Sequence, residues 1–334
     1  MKAILLKETG GPDMAKYTEV EKPVPSSWEI VVKLKNASLN RRDVFITYGM
    51  YPGIKLPSIL GADGAGVVES VGDGVESLCQ GDEVVINPAL QWGDDIRFSS
   101  SKFHTLGMPT DGTYAEYVKI SCENVYKKPP YLTWSEAAAI PLSALTAYRA
   151  LITRGELTKG ETVFIPGIGS GVALFALQIA VAKGAHVFVS SSSDGKIERA
   201  KEMGAAGGMN YRADGWVKAL KSEMGGADVI IDGIGGETFK DLVQLANPGG
   251  RIVNFGATAG PVPELVLPRV FFKHLDIRGT TMGSPQEFAD MLTLFEQHEI
   301  RPVIDKQFPL EDAVSALKYM EDGDSFGKIV LNIE

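Results

Sequence analysis

The chain has 334 residues, a formal net charge of −9, 44% hydrophobic and 22% charged side chains, and two cysteines, Cys79 and Cys122. Its length suggests two domains, each able to bury a core without disulfide or metal staples. The acidic balance argues against a general nucleic-acid binder, which neutralises phosphates with Lys and Arg, and two distant cysteines fit idle thiols in a reducing compartment better than a disulfide.

The N-terminal apolar run of MKAILLKETGG is cut short by Lys7, too early for a signal-peptide core. Short β-branched runs follow at residues 30–34, 66–71, 83–86 and 114–120, punctuated by glycine and proline clusters, so the first part of the chain is expected to be β-rich. Residues 88–113 carry little periodicity and read as a long surface loop, a class of loop that is usually functional. After Pro129-Pro130, Thr133 with Glu136 three residues on forms a capping box at the start of a helix. From Thr162 onward strand-like runs alternate with helix-like ones: residues 163–165, 172–183, HVFVS, 195–203, DVIID, 237–245 and RIVNF. That alternation predicts βαβ units and a parallel sheet with helices on both faces. The tail predicts a strand at 276–279, helices at 285–298 and 310–320 and a last strand at 328–333, folding back onto the β-rich part. The longest strongly apolar segment, VALFALQIAVA, is about half the ~20 residues a bilayer requires. A cytoplasmic protein without membrane or nucleic-acid partners is expected.

VFIPGIGSGVALFALQIA has the strand, glycine turn and helix of a dinucleotide site. Gly167 would permit the turn; Gly169, Ser170, Gly171 and Val172 would bring backbone N–H groups to a pyrophosphate. The spacing is G-x-G-x-G-x-A rather than G-x-G-x-x-G, and a bare glycine turn is the alternative. An NAD site ends its second strand with an acid for the ribose hydroxyls; this chain has Ser190, Ser191, Ser192 and Ser193 there, with Lys196 one turn on. Hydroxyls and an ammonium suit the 2′-phosphate of NADPH, which a carboxylate would repel. Asp194 is expected to cap the next helix, and Tyr211 and Arg212 could also reach the phosphate; the alternative is a solvated polar loop. A second cluster, DGIGGETF, comes too late to start the βαβ unit and reads as a turn beside the cofactor's adenosine half.

Together ILGADGAGVVESVGDGVESLCQGDEVV, GTYAEYV, AAAIPLSALTAYRAL, the nucleotide segment, VNFGATAG and GTTMGS resemble the medium-chain dehydrogenase/reductase superfamily nearly end to end. The resemblance implies an α/β protein: a Rossmann doubly wound parallel sheet at 128–268, and a β-rich GroES-like catalytic domain built from residues 1–127 and 269–334, with the active site in the cleft between. It also implies a homodimer. Zinc members hold a catalytic metal with a Cys, a His and a second Cys or acid. The matching positions here are Asn40 in SLNRRD, Ala62 in Gly61-Ala62-Asp63, and the neighbourhood of Leu142, and the structural-zinc loop maps onto residues 92–112, which hold no cysteine. Zinc takes three or four N, S or O ligands, so no metal is expected. His104 and His298 read as surface residues.

Without a metal the chemistry narrows. Hydride addition to a plain ketone makes an alkoxide, which zinc stabilises by about 8 pK units, or ~11 kcal/mol, judged from bound water. Conjugate addition to a quinone or an α,β-unsaturated carbonyl makes a far less basic phenolate or enolate, for which a few hydrogen-bond donors at ~3 kcal/mol each suffice. The chain thus resembles the zinc-free quinone oxidoreductase-like branch, with NADPH as cofactor. By motif, Asn40 would face the nicotinamide and donate to the developing oxyanion, or else cap the 41–48 helix. Tyr51 matches an active-site tyrosine, although its companion is Phe45 here. Thr146 would contact the nicotinamide, with Phe255, Gly256, Ala257 and Thr258 and then Thr281, Met282 and Gly283 flanking its amide. Met50, Trp92 and Phe271 are either substrate wall or packing. Two alternatives stand beside quinone or enone reduction: an enoyl-thioester or alkenal reductase, for which Arg41, Arg42 and Arg97 leave the case open, and an NADPH-binding protein with little turnover.

Overall fold

Six strands, Thr162–Ile165, His186–Ser191, Gly207–Asn210, Ala227–Asp232, Ala246–Asn254 and Asp276–Gly279, form one all-parallel sheet in the computed structural model, which describes residues 1–333. Numbered along the chain, their spatial order is 3-2-1-4-5-6, the doubly wound arrangement. Their buried Val163, Phe164, Val187, Val189, Val229 and Ile230 show the continuous apolar runs of a sheet covered on both faces. The helices Gly171–Ala182, Asp194–Glu202, Trp216–Met224 and Phe239–Leu245 connect these strands. One core groups Phe164, Phe188, Leu220, Ile230, Leu242 and Ile252.

By contact this unit spans Ala144–Met282, and Met1–Ser143 with the segment from Gly283 forms the other. Both changeovers, expected at 127/128 and 268/269, fall later along the chain, for two reasons. The helix Trp134–Ala139 packs on the strands Glu29–Ser38 and Asp63–Val71 of the β-rich unit. Strand Asp276–Gly279, expected in the tail, pairs in parallel with Ala246–Asn254 as the last strand of the six.

The β-rich unit is built on a seven-stranded sheet running Val125–Lys127, Glu83–Ile86, Asp63–Val71, Glu29–Ser38, Lys328–Asn332, Ile304–Pro309, with Tyr117–Ser121 also paired to Glu29–Ser38. Two registers decide what meets in its centre. Asp63 lies opposite Ser38 on one side, and Val330 lies opposite Ser38 on the other. Continuing that antiparallel register by two residues brings Lys328 across from Asn40. Gly66 is required by the same pairing, since a Cβ there would come within 2.1 Å of the Lys33 carbonyl oxygen.

The loop at 88–113 is tied by a short pairing of Ala89–Leu90 with His104–Thr105. Trp92 is buried within it, edge-on to Phe103 at 5.3 Å, and its indole N–H donates to the Asp95 carbonyl at 3.2 Å. Trp92 therefore packs as the loop's own core. Arg97 clasps the Asp95 carboxylate through Nε and Nη2 at 2.7–3.2 Å. Met50 and Phe271 are both exposed.

Candidate cofactor and hydride-transfer residues

In the parallel-sheet unit the chain leaves Thr162–Ile165 through Gly167 at φ +66° and Gly169 at φ +126°, both in the left-handed region that favours glycine. A Cβ on Gly167 would lie 2.7 Å from Ile234 Cδ1. Ser170 caps the helix Gly171–Ala182, its Oγ accepting the Ala173 N–H at 3.4 Å, with Gly171 and Val172 the first helical residues. The turn stands where strands 1 and 4 of the sheet part, the switch point at which doubly wound folds bind dinucleotides.

The second glycine turn adjoins the first through Ile234. Buried Asp232 accepts the Ile234 and Gly235 N–H groups at 2.9 and 3.3 Å and the Asn254 amide at 2.8 Å. Phe255 covers Gly233, where a Cβ would come within 2.4 Å of its ring, and the Thr258 hydroxyl donates to the Gly233 carbonyl at 2.6 Å. The segment carrying Phe255, Gly256 and Ala257 is thus held against this turn. Thr146 is buried with its Oγ1 4.0 Å from the sulfur of Met282, a buried residue at φ +41°. Thr281 is exposed, and Gly283 groups with the other unit.

The serine run is part strand and part cap. Ser190 and Ser191 are buried in His186–Ser191, and the Ser191 hydroxyl accepts the Ser193 N–H at 3.2 Å. Ser193, not Asp194, is the N-cap of Asp194–Glu202: its backbone is extended and its Oγ accepts the Lys196 N–H at 3.4 Å. Asp194 is the first helical residue, and its carboxylate accepts from the Asn210 side chain at 3.0 Å. Ser192 and Lys196 are half-buried and Tyr211 is exposed. Beside this helix lies a groove of about 540 Å³ whose lining includes Asp194, Glu198, Lys201 and Arg212 but neither Ser192 nor Lys196. With two acids and two bases it is not an anion pocket.

In the β-rich unit Asn40 and Asp63 belong to a buried polar cluster. The ammonium of Lys328, 3% exposed, donates to Asn40 Oδ1 at 2.8 Å, the Leu39 carbonyl at 2.8 Å, Asp63 Oδ2 at 3.0 Å and Ser143 Oγ at 3.3 Å. Asn40 Nδ2 donates to Asp63 Oδ2 at 2.9 Å, and the Ser143 hydroxyl donates to Asn40 Oδ1 at 3.2 Å. The Ser38 hydroxyl and the Leu142 N–H complete the Asp63 carboxylate at 3.2 and 2.8 Å. Every heteroatom of this cluster has a partner, the condition under which a buried ion pair is tolerated.

A second buried acid adjoins it. Asp43 accepts the Asn40 backbone N–H at 2.8 Å and the Tyr114 hydroxyl at 2.7 Å, with Arg42 Nη1 3.4 Å away. Burial pushes the Asp43 carboxyl above its ordinary value, although the Arg42 charge and the Tyr114 and Asn40 hydrogen bonds oppose this. Burial and then the Asp43 charge push the Tyr114 phenol well up. Arg42 also donates to the Leu106 carbonyl at 3.0 Å, and its guanidinium lies 4.7 Å from the centre of the half-buried Tyr51 ring. Arg41 bonds the Met320 carbonyl at the end of the helix Ala313–Asp322.

These side chains do not fit zinc. The three aligned positions present an amide, the methyl of Ala62 and an apolar side chain at Leu142, and a fixed ammonium lies among their neighbours. Among the described residues no group of three or more His, Cys, Asp or Glu could hold a metal ion. Sequence reasoning found Asn40 but missed Lys328, Asp63 and Ser143 as its partners. The available signal was a lone lysine opening an apolar final strand, KIVLNI, but nothing local says which loop it meets.

Residues 171–297 match the family described as zinc-binding dehydrogenase, and residues 26–130 match the alcohol dehydrogenase GroES-like domain. A zinc-type alcohol dehydrogenase-like protein of Leptosphaeria maculans is 36% identical, over 94% of this chain and 93% of that protein. The quinone oxidoreductase of Lama guanicoe is 32% identical, over 99% of this chain and 97% of its own. A crystal structure described as an NAD-dependent alcohol dehydrogenase superposes with a TM-score of 0.96 at 37% identity, covering all of both chains.

Proposed function

The chain belongs to the medium-chain dehydrogenase/reductase superfamily as an oxidoreductase with a nicotinamide cofactor, and from that premise we propose that it reduces quinones or α,β-unsaturated carbonyls with NADPH and without a metal. The observation that carries this reading is the buried cluster of Asn40, Asp63, Ser143 and Lys328, which fills the zinc-ligand neighbourhood with an amide and an ion pair.

The cofactor supplies the hydride. The residues proposed to hold it are Gly167, Gly169, Ser170, Gly171 and Val172 at the pyrophosphate, and Ser191, Ser192, Lys196 and Tyr211 at the 2′-phosphate. Phe255, Gly256, Ala257, Thr281, Met282 and Gly283 would hold the nicotinamide amide, with Thr146 against the ring. Asn40 and Tyr51 are proposed to donate hydrogen bonds to the oxygen of the acceptor. Conjugation disperses the charge, so amide and hydroxyl donors meet the demand that zinc meets for a plain alkoxide, and solvent supplies the proton. NADH is a second reading, favoured by the similarity to a structure described as NAD-dependent.

A homodimer paired through the edge strand Asp276–Gly279 is part of the proposal. That strand has one neighbour in its sheet, and Ile277, Leu267, Phe271 and Phe272 are exposed on it and on the helix Leu267–Phe272. An open edge beside exposed apolar side chains is what pairing with a second copy would cover. Cys79 and Cys122 are free thiols, as a reducing cytoplasm permits, and no helix among the described residues is long and apolar enough to cross a membrane.

The test is oxidation of NADPH and of NADH with 9,10-phenanthrenequinone and a panel of enones. Turnover with NADPH preferred is the expected result. Binding of the cofactor with no turnover of any acceptor would favour a nicotinamide-binding protein instead.

A further inference from the structure

The Lys328 ammonium has three N–H bonds and four oxygens within 3.3 Å: the Leu39 carbonyl, Asn40 Oδ1, Asp63 Oδ2 and Ser143 Oγ. Only one flip state of the Asn40 amide suits this surrounding. Its oxygen meets two donors, Lys328 Nζ and the Ser143 hydroxyl, and its nitrogen meets the Asp63 carboxylate. The opposite flip would set NH₂ against the ammonium and an amide oxygen against the carboxylate. One Nδ2 hydrogen is used on Asp63, and the other has no partner among the described residues.

We infer that Lys328 is a positioning residue for hydride transfer: it locks the Asn40 amide with one N–H free to donate to the acceptor's oxygen, and polarises that N–H. The inference rests on the proposed donor role of Asn40. A cation on the amide oxygen draws electron density from the nitrogen, and in a low-dielectric interior such polarisation strengthens the remaining donor. The ammonium is covalently held, and it acts on the side chain that stands at a metal-ligand position. Asp63 keeps the pair neutral overall and is itself fixed by Ser38 and the Leu142 N–H. A purely structural Lys328 would do no more than tie the last strand to Glu29–Ser38.

The two roles separate in a double-mutant cycle on the full-length protein, with NADPH and 9,10-phenanthrenequinone. K328M/D63N removes both charges and leaves no lone buried ion. Its kcat is expected to fall by about tenfold or more, with the melting temperature and NADPH affinity close to those of the wild type. In the N40A background the same pair of changes should cost less than about twofold, because the effect runs through the amide. Equal losses in both backgrounds, or an unchanged kcat in the folded variant, overturn the inference. If K328M/D63N does not fold, K328R keeps the charge but displaces its donors, and the same dependence on Asn40 is read there. If the wild type reduces no quinone or enone, the hydride-transfer reading fails by itself. Lys328 is then read from 4-nitrophenol bound beside NADP⁺: its ionisation, seen in its visible absorbance, should be favoured by the wild type over K328M/D63N, and equal ionisation overturns the role.

Discussion

At the scale of single residues, the interior of the β-rich unit sets two buried acids, Asp43 and Asp63, against two buried bases, Arg42 and Lys328, while a third buried acid, Glu287, is held by the Ser284 N–H. The balance is local. Lys328 contacts Asp63, while Arg42 stands beside Asp43 and under the Tyr51 ring. Removing one member of such a pair strands the other, so D63N or K328M alone should destabilise the protein by ~3–5 kcal/mol in urea unfolding, and the double change by much less. Asn40 was legible because SLNRRD is a local motif. Lys328 was not, because its partner is 288 residues away and only the strand register brings them together. The serine run was legible as the absence of an acid, but its first two members belong to the strand and its fourth is the helix cap. That leaves Ser192 and Lys196 as the side chains to test for the phosphate. S192D with K196A should weaken NADPH by about ten- to a hundredfold in a fluorescence titration, with much less effect on NADH. Equal losses for the two cofactors would show that Ser192 and Lys196 do not hold a 2′-phosphate.

Elements were legible wherever pattern and punctuation agreed. Thr133 caps the helix Trp134–Ala139 with the reciprocal Glu136 bond, and the Ser284 box with Glu287 opens Pro285–His298 in the same way. Among the elements missed in the parallel-sheet unit are a strand and a helix. The strand Gly207–Asn210 reads GGMN, with little β propensity, and exists because Phe188 to Ser191 offer it a parallel partner. The helix Trp216–Met224 lies between glycines, which read as loop. Strand packing also fixes what substitution does: G66A should cost several kcal/mol, since its methyl would meet the Lys33 carbonyl oxygen within 2.1 Å and the strands would have to part. The 88–113 loop carries a pH dependence of known sign. The Arg97 side chain holds the Asp95 carboxyl down to about 2, below its ordinary 3.8. The contribution of this exposed clasp is therefore present above about pH 4 and lost as pH falls through about 2. It is small at any pH. Amide exchange in residues 91–101 should be faster in D95N than in the wild type at pH 6, with the two converging toward pH 2.

For the whole molecule, the division of the chain into a βαβ part and a β-rich part was legible from the change in period, but the segments on either side of the division were not. The helix Trp134–Ala139 is claimed by the β-rich sheet it packs on, and Asp276–Gly279 by the parallel sheet it extends. Neither tertiary preference is written in local pattern. The open edge at Asp276–Gly279 gives an association prediction. I277K with F272E should convert a dimer to a monomer in light scattering without lowering the melting temperature of the isolated chain. A monomeric wild type at micromolar concentration would rule out the edge-paired dimer.

The proposed chemistry moves hydride without a metal, to acceptors whose conjugation spreads the new charge. The direct test is the rate of NADPH-dependent 9,10-phenanthrenequinone reduction by protein stripped with a chelator and checked for zinc by mass spectrometry, set beside NADP⁺-dependent oxidation of a simple aliphatic alcohol. An undiminished quinone rate and no alcohol oxidation are expected. A quinone rate that collapses on stripping and returns with zinc, or brisk alcohol oxidation by the stripped protein, would contradict the proposed chemistry.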